Sequence, residues 1–245
     1  MKFDDVKKLH QKKYRTQSGY YLVEGEHLVL ELCKVIDEQS ARGITLFVTD
    51  EHTQWVASLP FAFSVKQINS RQMSQLSDTT SPQGIVACVP INLPISQAFA
   101  QTTNYIYLHE VQDPGNLGTI LRSLAWFGAF KLLLSPNSVD PYNSKVVRAS
   151  MGAIFHVDVE TDVPLDTLAQ RFSRFAYLDM NGASISQPAF SNYDCYLFGN
   201  EARGVPTRAL ETMQADPFTI NGSGKIDSLN LASAVNICVY QLSVS

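Results

Sequence analysis

Three short segments in the second half of the chain combine polar side chains with glycines. The first, residues 113–128, contains Asn116 and Arg122 among glycines that let the backbone approach a ligand closely. If Asn116 caps a helix, Arg122 projects from its second turn. The free N–H groups at such a helix start suit an anion. An ordinary helix cap followed by a surface arginine would give the same spacing.

The second segment, residues 197–206, follows an apolar stretch and places an amide, a carboxylate and a guanidinium between two glycines. These groups belong to Asn200, Glu201 and Arg203. Such density is unusual for a simple turn and indicates a binding or catalytic loop. In the structural alternative, Glu201 and Arg203 pair with each other and Pro206 starts the next helix.

The third segment, residues 220–230, is a glycine-rich loop that leads into a predicted final helix at Ser228. Ser228 is therefore either an N-cap or a ligand contact. A phosphate-binding P-loop needs glycine at position 219 and Ser or Thr at 226, where this chain has Thr219 and Ile226. The dinucleotide spacing G-x-G-x-x-G is also absent from the first segment. Both familiar nucleotide motifs are thus disfavoured.

Alternating strands and helices position these segments in the second half of the chain. Ligands of parallel α/β sheets bind beyond the carboxyl ends of the strands, where all three segments fall. The apolar runs predict a mostly parallel sheet buried on both faces. The predicted strands are residues 105–111, 131–135, 153–159, 175–180, 195–199 and 217–220. The predicted helices start after the turn of residues 112–118, span 143–151 and 164–172, and begin after Pro206 and at Ser228.

The first ninety residues predict a separate, smaller α/β domain. A proline-containing stretch then interrupts the pattern and is the best linker candidate. The chain is therefore predicted to comprise a domain of residues 1–92, a linker of residues 93–103 and a domain of residues 104–245. Predicted strands of the first domain are residues 20–25, 44–50 and 84–91, with an apolar run at 61–65, and its helices end near Gly19 and span 26–38, 51–58 and 69–76.

Composition excludes several classes of protein. The chain is 45% hydrophobic and 17% charged, with no uninterrupted apolar stretch of the ~20 residues that a membrane span needs. An N-terminus without a secretory signal favours the cytoplasm. Four scattered cysteines suggest buried, reduced thiols and no metal site. The net charge of −4 gives no global support for nucleic-acid binding, but six basic residues lie among the first fifteen.

Taken together and in order, the three segments resemble the motifs of the SpoU/TrmH family of RNA ribose methyltransferases, within the SPOUT superfamily. The likeness covers residues 104–245. A further segment, residues 145–153, is similar to the stretch that the family carries between its first two motifs. The matching positions are Asn116, Arg122, Ser123 and Phe127-Gly128 in motif one, Gly199-Asn200-Glu201 with Arg203-Gly204 in motif two, and Ser228-Leu229-Asn230 in motif three.

The resemblance implies an α/β fold whose C-terminal domain has a mostly parallel sheet and a C-terminal trefoil knot. It also implies that a small α/β substrate-binding domain, similar to a ribosomal protein fold, precedes this domain. The resemblance also implies a homodimer formed through the C-terminal domain. Motif three departs from the family pattern at Asn221-Gly222, which affects the detailed shape of the loop. The implied binding positions for S-adenosylmethionine are Leu197, Gly199, Asn200, Ile220, Ser228 and Leu229.

The implied activity is methyl transfer to the ribose 2′-hydroxyl of ribosomal or transfer RNA, without a metal. By resemblance, Arg122 occupies the position proposed to act at the 2′-oxygen. We expect it to hold the target phosphate and offset charge on that oxygen, while Asn116, Glu201, Ser228 and Asn230 orient Arg122 and the ribose. Two alternatives remain: a non-catalytic RNA-binding relative with this fold, and a nucleotide-dependent enzyme that binds ATP or NAD. His109 and His156 are expected to be structural, and Trp126 and Phe127 are expected to lie in the core. The expected RNA contacts are Lys12, Lys13, Arg15, Arg122, Arg148 and Arg203.

Overall fold

The computed structural model describes residues 1–93 and 104–244. The predicted linker, residues 93–103, lies outside the described residues except for its first residue. The described residues form two compact units. The first contains residues 1–93 and the excursion Asp140–His156, and the second contains residues 104–139 and 157–244. No helix within the described residues is long and apolar enough to span a membrane.

The helices and strands alternate along most of the described chain. The strands are β1 (Tyr20–Glu24), β2 (Thr45–Val48), β3 (Ser64–Gln67), β4 (Ile85–Pro90), β5 (Asn104–Leu108), β6 (Phe130–Leu134), β7 (Asp158–Glu160), β8 (Phe175–Ser184), β9 (Cys195–Phe198) and β10 (Asp216–Thr219). The α-helices are α1 (Phe3–Lys7), α2 (Lys12–Ser18), α3 (Glu26–Cys33), α4 (Glu38–Ala41), α5 (Thr53–Val56), α6 (Ser70–Leu76), α7 (Pro114–Phe127), α8 (Ser144–Ala149), α9 (Leu168–Arg171), α10 (Thr207–Thr212) and α11 (Leu231–Ser243).

The first unit is built on a mixed four-stranded sheet in the order β1-β4-β2-β3. β4 runs antiparallel to both β1 and β2, while β2 and β3 are parallel. The predicted helix 26–38 is wrong in its second half, because α3 ends at Cys33 and Asp37 caps a separate helix α4. Cys33 is only partly buried, in contrast to the prediction, whereas Cys88, Cys195 and Cys238 are buried.

The second unit contains a six-stranded sheet in the order β10-β8-β9-β5-β6-β7. Every pairing between its described strands is parallel, as the apolar runs predict. Near its middle, β5 is fully buried at Ile106, Tyr107 and Leu108. The Tyr107 hydroxyl donates to the Val163 carbonyl at 3.0 Å, which satisfies the polar end of this buried ring.

Three sequence predictions for this half are wrong in detail. The predicted strand 153–159 is a 3₁₀ turn, Ala153–Phe155, followed by the short β7. A short buried apolar run does not distinguish strand from turn by its periodicity. His156 is consequently exposed and lies outside any strand. The final helix begins at Leu231 with Asn230 as its N-cap, so Ser228 is not the cap. Trp126, expected in the core, is 84% exposed on α7.

Candidate functional site

The three polar segments form loops at the carboxyl edge of the parallel sheet. They follow β5, β9 and β10, and the first and third lead directly into α7 and α11. Because parallel strands point the same way, their carboxyl ends share one edge, which is where α/β proteins bind ligands. Strand order places β8 between β10 and β9, and β9 beside β5. Contacts between the loops therefore depend on side chains that reach across this edge.

A chain of hydrogen bonds joins all three loops. The Asn116 side-chain amide donates to Glu201 Oε1 at 3.2 Å. Asn230 Nδ2 donates to Asn116 Oδ1 at 2.9 Å, and Asn230 Oδ1 accepts the Ser233 backbone N–H at 3.2 Å. Glu201, Asn116 and Asn230 come from motif two, motif one and motif three respectively. The structure thus brings together three of the five predicted catalytic residues.

Glu201 also fixes the start of α7. Its carboxylate accepts the backbone N–H groups of Gln112 at 3.3 Å and Asp113 at 3.2 Å. Asp113, not Asn116, is the N-cap of α7, because its carboxylate accepts the Asn116 backbone N–H at 2.7 Å. Pro114 occupies the first helical turn. With the backbone capped by Asp113, the side chain of Asn116 is free to link Glu201 and Asn230.

The loop after β9 is held by Asn200. This residue is 6% exposed, and its side-chain oxygen accepts the backbone N–H groups of Ala202 at 2.9 Å and Arg203 at 3.0 Å. Gly199 packs tightly under the loop, since a Cβ there would lie 2.3 Å from the carbonyl carbon of Gly204. Leu197 is fully buried in β9. Leu197 and Asn200 therefore shape the loop from within, and only their backbone could face a cofactor.

The loop after β10 is open. All residues from 221 to 230 are exposed, including the apolar side chains Ile226, at 71%, and Leu229, at 45%. Among the described residues, the backbone groups of residues 221–229 and the Ser228 hydroxyl have no hydrogen-bond partner. Ile220, which precedes this stretch, is partly buried. Free N–H and C=O groups beside exposed apolar side chains suit a ligand with a flat apolar ring and polar edges.

Arg122 lies on α7 and is exposed. Within residues 1–93 and 104–244, its guanidinium has no hydrogen-bond or ion-pair partner. It is therefore not part of the chain formed by Glu201, Asn116 and Asn230. A charged guanidinium without an internal partner is available to a phosphate or to another developing negative charge.

The predicted RNA contacts differ in their surroundings. Arg203 is 67% exposed in its side chain and pairs with Glu110. Lys12 and Lys13 are exposed on α2 in the first unit. Arg148, on α8 in the same unit, is partly buried and lies 3.6 Å from an Asp78 carboxylate oxygen. These four side chains retain at least some accessible surface.

Arg15 does not fit the prediction of an RNA contact. The residue is 3% exposed, and its Nε and Nη2 donate to Asp140 Oδ2 at 2.8 Å and 2.6 Å. Its Nη1 donates to the Leu9 carbonyl at 2.7 Å. Each nitrogen of the guanidinium is thus engaged inside the first unit. Arg15 stabilises that unit and offers no surface to a phosphate.

Sequence reasoning missed Glu110. This residue follows β5 with a φ of 51°, in the left-handed region, which is uncommon for a residue other than glycine. Neighbouring His109, expected to be structural, has a buried Nδ1 with no partner among the described residues. Burial lowers the pKa of His109, the nearby Glu110 carboxylate raises it, and Arg203 lowers it. Nothing in the local pattern marks Glu110, because its partners lie in other loops.

Comparisons with known proteins match two parts of the chain to known families. The SpoU rRNA Methylase family matches residues 103–240. The MRM3-like substrate binding domain matches residues 2–87. The chain is 32% identical to the 23S rRNA (guanosine(2553)-2′-O)-methyltransferase of Bacillus subtilis over 247 residues, covering 98% of this chain and 95% of the relative.

Two solved structures extend the likeness over nearly the whole chain. A protein of the TrmH family from Porphyromonas gingivalis superposes with a TM-score of 0.80 and 27% identity, covering 98% of this chain and 96% of the other. An S-adenosylmethionine-bound rRNA methyltransferase from Sinorhizobium meliloti superposes with a TM-score of 0.73 and 25% identity, covering 98% and 93%.

Proposed function

This chain belongs to the SpoU rRNA Methylase family, and we propose that it transfers the methyl group of S-adenosylmethionine to a ribose 2′-hydroxyl of RNA. The observation that carries the proposal is the chain of hydrogen bonds from Glu201 through Asn116 to Asn230. It joins all three motif loops, of which the third is otherwise open, and Arg122 on α7 has no partner among the described residues.

The loops after β9 and β10 would hold the cofactor. Residues 221–229 supply backbone groups that have no partner in the described part of the chain, and Ile226 and Leu229 supply exposed apolar surface that a nucleoside would cover. Ser228 offers an exposed hydroxyl, while Gly199 and Ile220 directly follow strands β9 and β10. When bound, S-adenosylmethionine supplies an electrophilic methyl group on a sulfonium. These backbone groups, the Ser228 hydroxyl and the apolar side chains therefore fit this cofactor. Leu197 and Asn200 would contact it through their backbone atoms.

Arg122 would act at the ribose 2′-oxygen as an electrostatic group. A guanidinium stays protonated in proteins and has no acceptor, so it cannot serve as an ordinary base. It can bind the adjacent phosphate and offset the negative charge that develops on the 2′-oxygen. The hydroxyl proton would then leave to solvent from this exposed site. Asn116, Glu201 and Asn230 would hold the start of α7, and with it Arg122, in place.

Ribosomal RNA is the proposed substrate class. The Bacillus subtilis relative, which matches over nearly its whole length, is named for guanosine 2553 of 23S rRNA. Transfer RNA is the second candidate. In the first unit, Lys12, Lys13 and Arg148 would contribute RNA contacts, and in the second, Arg122 and Arg203.

The remaining proposals concern architecture. We propose a substrate-binding domain of residues 1–92 similar to a ribosomal protein fold, a linker of residues 93–103 and a methyltransferase domain of residues 104–245. In the last, the C-terminal segment would form a trefoil knot. A homodimer through α7 and α11 would cover the exposed side chains of Trp126, at 84%, and Tyr240, at 56%. We also propose a cytoplasmic location.

The test is transfer of labelled methyl to unmodified RNA. Full-length protein is incubated with labelled S-adenosylmethionine and either 23S rRNA or total tRNA transcribed in vitro, and the labelled nucleotide is mapped by nuclease digestion. A 2′-O-methylated nucleotide in one RNA supports the proposal and identifies the substrate. RNA binding without label in either RNA and without cofactor binding by calorimetry would indicate a non-catalytic RNA-binding relative. Binding of ATP or NAD instead would indicate the nucleotide-dependent alternative.

A further inference from the structure

The loops after β5 and β9 are joined in both directions. Glu201, in the loop after β9, accepts two backbone N–H groups of the loop after β5. Conversely, Glu110, in the loop after β5, accepts a hydrogen bond from Arg203 in the loop after β9. The first contact holds the backbone at the start of α7. The second holds an exposed guanidinium and no backbone group, so it does not stabilise the loop in the same way.

Glu110 is held by contacts on all its polar groups. Its backbone N–H donates to the Ser135 hydroxyl at 2.6 Å. Its backbone carbonyl accepts Asn200 Nδ2 at 2.7 Å and Gln112 Nε2 at 3.2 Å. These contacts come from the loops after β5, β6 and β9. They keep a non-glycine residue at a φ of 51°, a conformation that persists only where the surroundings enforce it.

Arg203 is fixed at both ends of its side chain. At its base, the backbone N–H donates to Asn200 Oδ1 at 3.0 Å. At its tip, Nη2 donates to Glu110 Oε2. Among the described residues, Nε and Nη1 have no partner, and the side chain is 67% exposed, against 25% for Glu110. An arginine held by a carboxylate on one side presents its remaining donors in a defined direction.

We propose that Glu110 is a positioning residue, which orients Arg203 so that its free donors bind a phosphate of the RNA. The proposal rests on the proposed function, specifically on Arg203 as an RNA contact. It opposes the simpler expectation that a carboxylate beside an arginine repels phosphate. If Glu110 mainly repels phosphate, removing its charge should strengthen RNA binding. If Glu110 mainly orients Arg203, removing its charge should weaken RNA binding. The direction of the change in RNA affinity therefore distinguishes the two explanations.

The experiment is a double-mutant cycle on the full-length protein with unmodified 23S rRNA transcribed in vitro. The variants are Glu110→Gln, Arg203→Ala and their combination. Glu110→Gln should raise the KM and dissociation constant for RNA about threefold to tenfold, which is the range expected of a coupled polar pair. The KM for S-adenosylmethionine should stay within about twofold of wild type, and Glu110→Gln should add nothing when Arg203 is already alanine.

The control is Glu160→Gln. Glu160 forms a two-bond pair with Arg171 at 2.8 Å and 2.8 Å, on the edge strand β7, which β6 separates from β5. It should leave the RNA dissociation constant unchanged. If Glu110→Gln folds poorly, Glu110→Gly takes its place, because glycine adopts a φ of 51° without strain.

Three results would overturn the inference: tighter RNA binding by Glu110→Gln, the same weakening with and without Arg203, or equal losses of RNA and cofactor affinity. The last would indicate that Glu110 only maintains the fold of the loops. If the wild type transfers no methyl group to any RNA, the proposed function fails separately. The RNA dissociation constants from the same cycle still decide whether Glu110 acts through Arg203.

Discussion

Replacing Arg15 with methionine should destabilise the protein without removing an RNA contact. The substitution leaves Asp140, whose side chain is 11% exposed, as an uncompensated buried carboxylate and leaves the Leu9 carbonyl without its donor. Breaking a buried ion pair by removing one partner costs about 3–5 kcal/mol. For a chain of this length, such a loss lowers the melting temperature by roughly 6–20 °C.

The assay compares thermal unfolding with RNA binding at a temperature where the variants are folded. Lys13→Met is the matched control, because Lys13 is exposed on the same helix α2. We expect Arg15→Met to lower the melting temperature and leave RNA affinity per folded molecule unchanged. Lys13→Met should do the reverse. The double variant Arg15→Met with Asp140→Leu should recover much of the stability, since an apolar pair needs no buried charge.

One result would refute this reasoning. Arg15→Met could melt within about 1 °C of wild type and still bind RNA more weakly. The loss of stability would then be smaller than the cost of breaking a buried ion pair, so the Arg15–Asp140 pair would not stabilise the fold as proposed. Arg15 would then act at the RNA surface, as its position among basic residues first suggests.

Three further predictions concern the second unit. Arg122→Lys should reduce kcat about 10- to 100-fold in the methyl-transfer assay, because lysine keeps the charge but lacks the planar fork. Gly199→Ala should abolish cofactor binding measured by calorimetry, since its Cβ would lie 2.3 Å from a backbone carbonyl carbon. Gly43→Ala is the control: the nearest atom to its Cβ would be 3.4 Å away, and the variant should bind the cofactor like the wild type. Burial lowers the pKa of His109 from its usual 6.5, so the unfolded state takes up a proton at a higher pH than the folded state. The free energy of unfolding should therefore decrease as the pH falls below 6.5. In His109→Gln this decrease, measured by urea titration at several pH values, should be smaller.

Each of these predictions has a contrary outcome. Near-normal turnover by Arg122→Lys would show that charge alone suffices at the 2′-oxygen. Cofactor affinity retained in Gly199→Ala would place the binding loop elsewhere. An unchanged pH profile in His109→Gln would show that other groups dominate acid sensitivity.

Local sequence signals predict much of the fold and part of the site. The parallel sheet follows from apolar runs such as residues 105–111, and the polar loops fall after strands as expected. The sequence predicts the first residue of a helix less precisely, because several neighbouring residues can act as its N-cap. Asp113 and Asn116 are both good N-caps, and only the structure shows that Asp113 caps α7 and frees Asn116 to reach Glu201.

The features that sequence reasoning missed depend on partners far along the chain. Arg15 and Asp140 are 125 residues apart, and Glu110 and Arg203 are 93 apart. A basic residue near other basic residues has the same local pattern whether it faces solvent or a buried carboxylate. Composition can therefore propose a charged surface but cannot say which charges remain on it. In this protein, the ion pair with Asp140 buries Arg15, so Arg15 is not a candidate RNA contact. The ion pair with Glu110 leaves Arg203 exposed, and we propose that it orients the guanidinium.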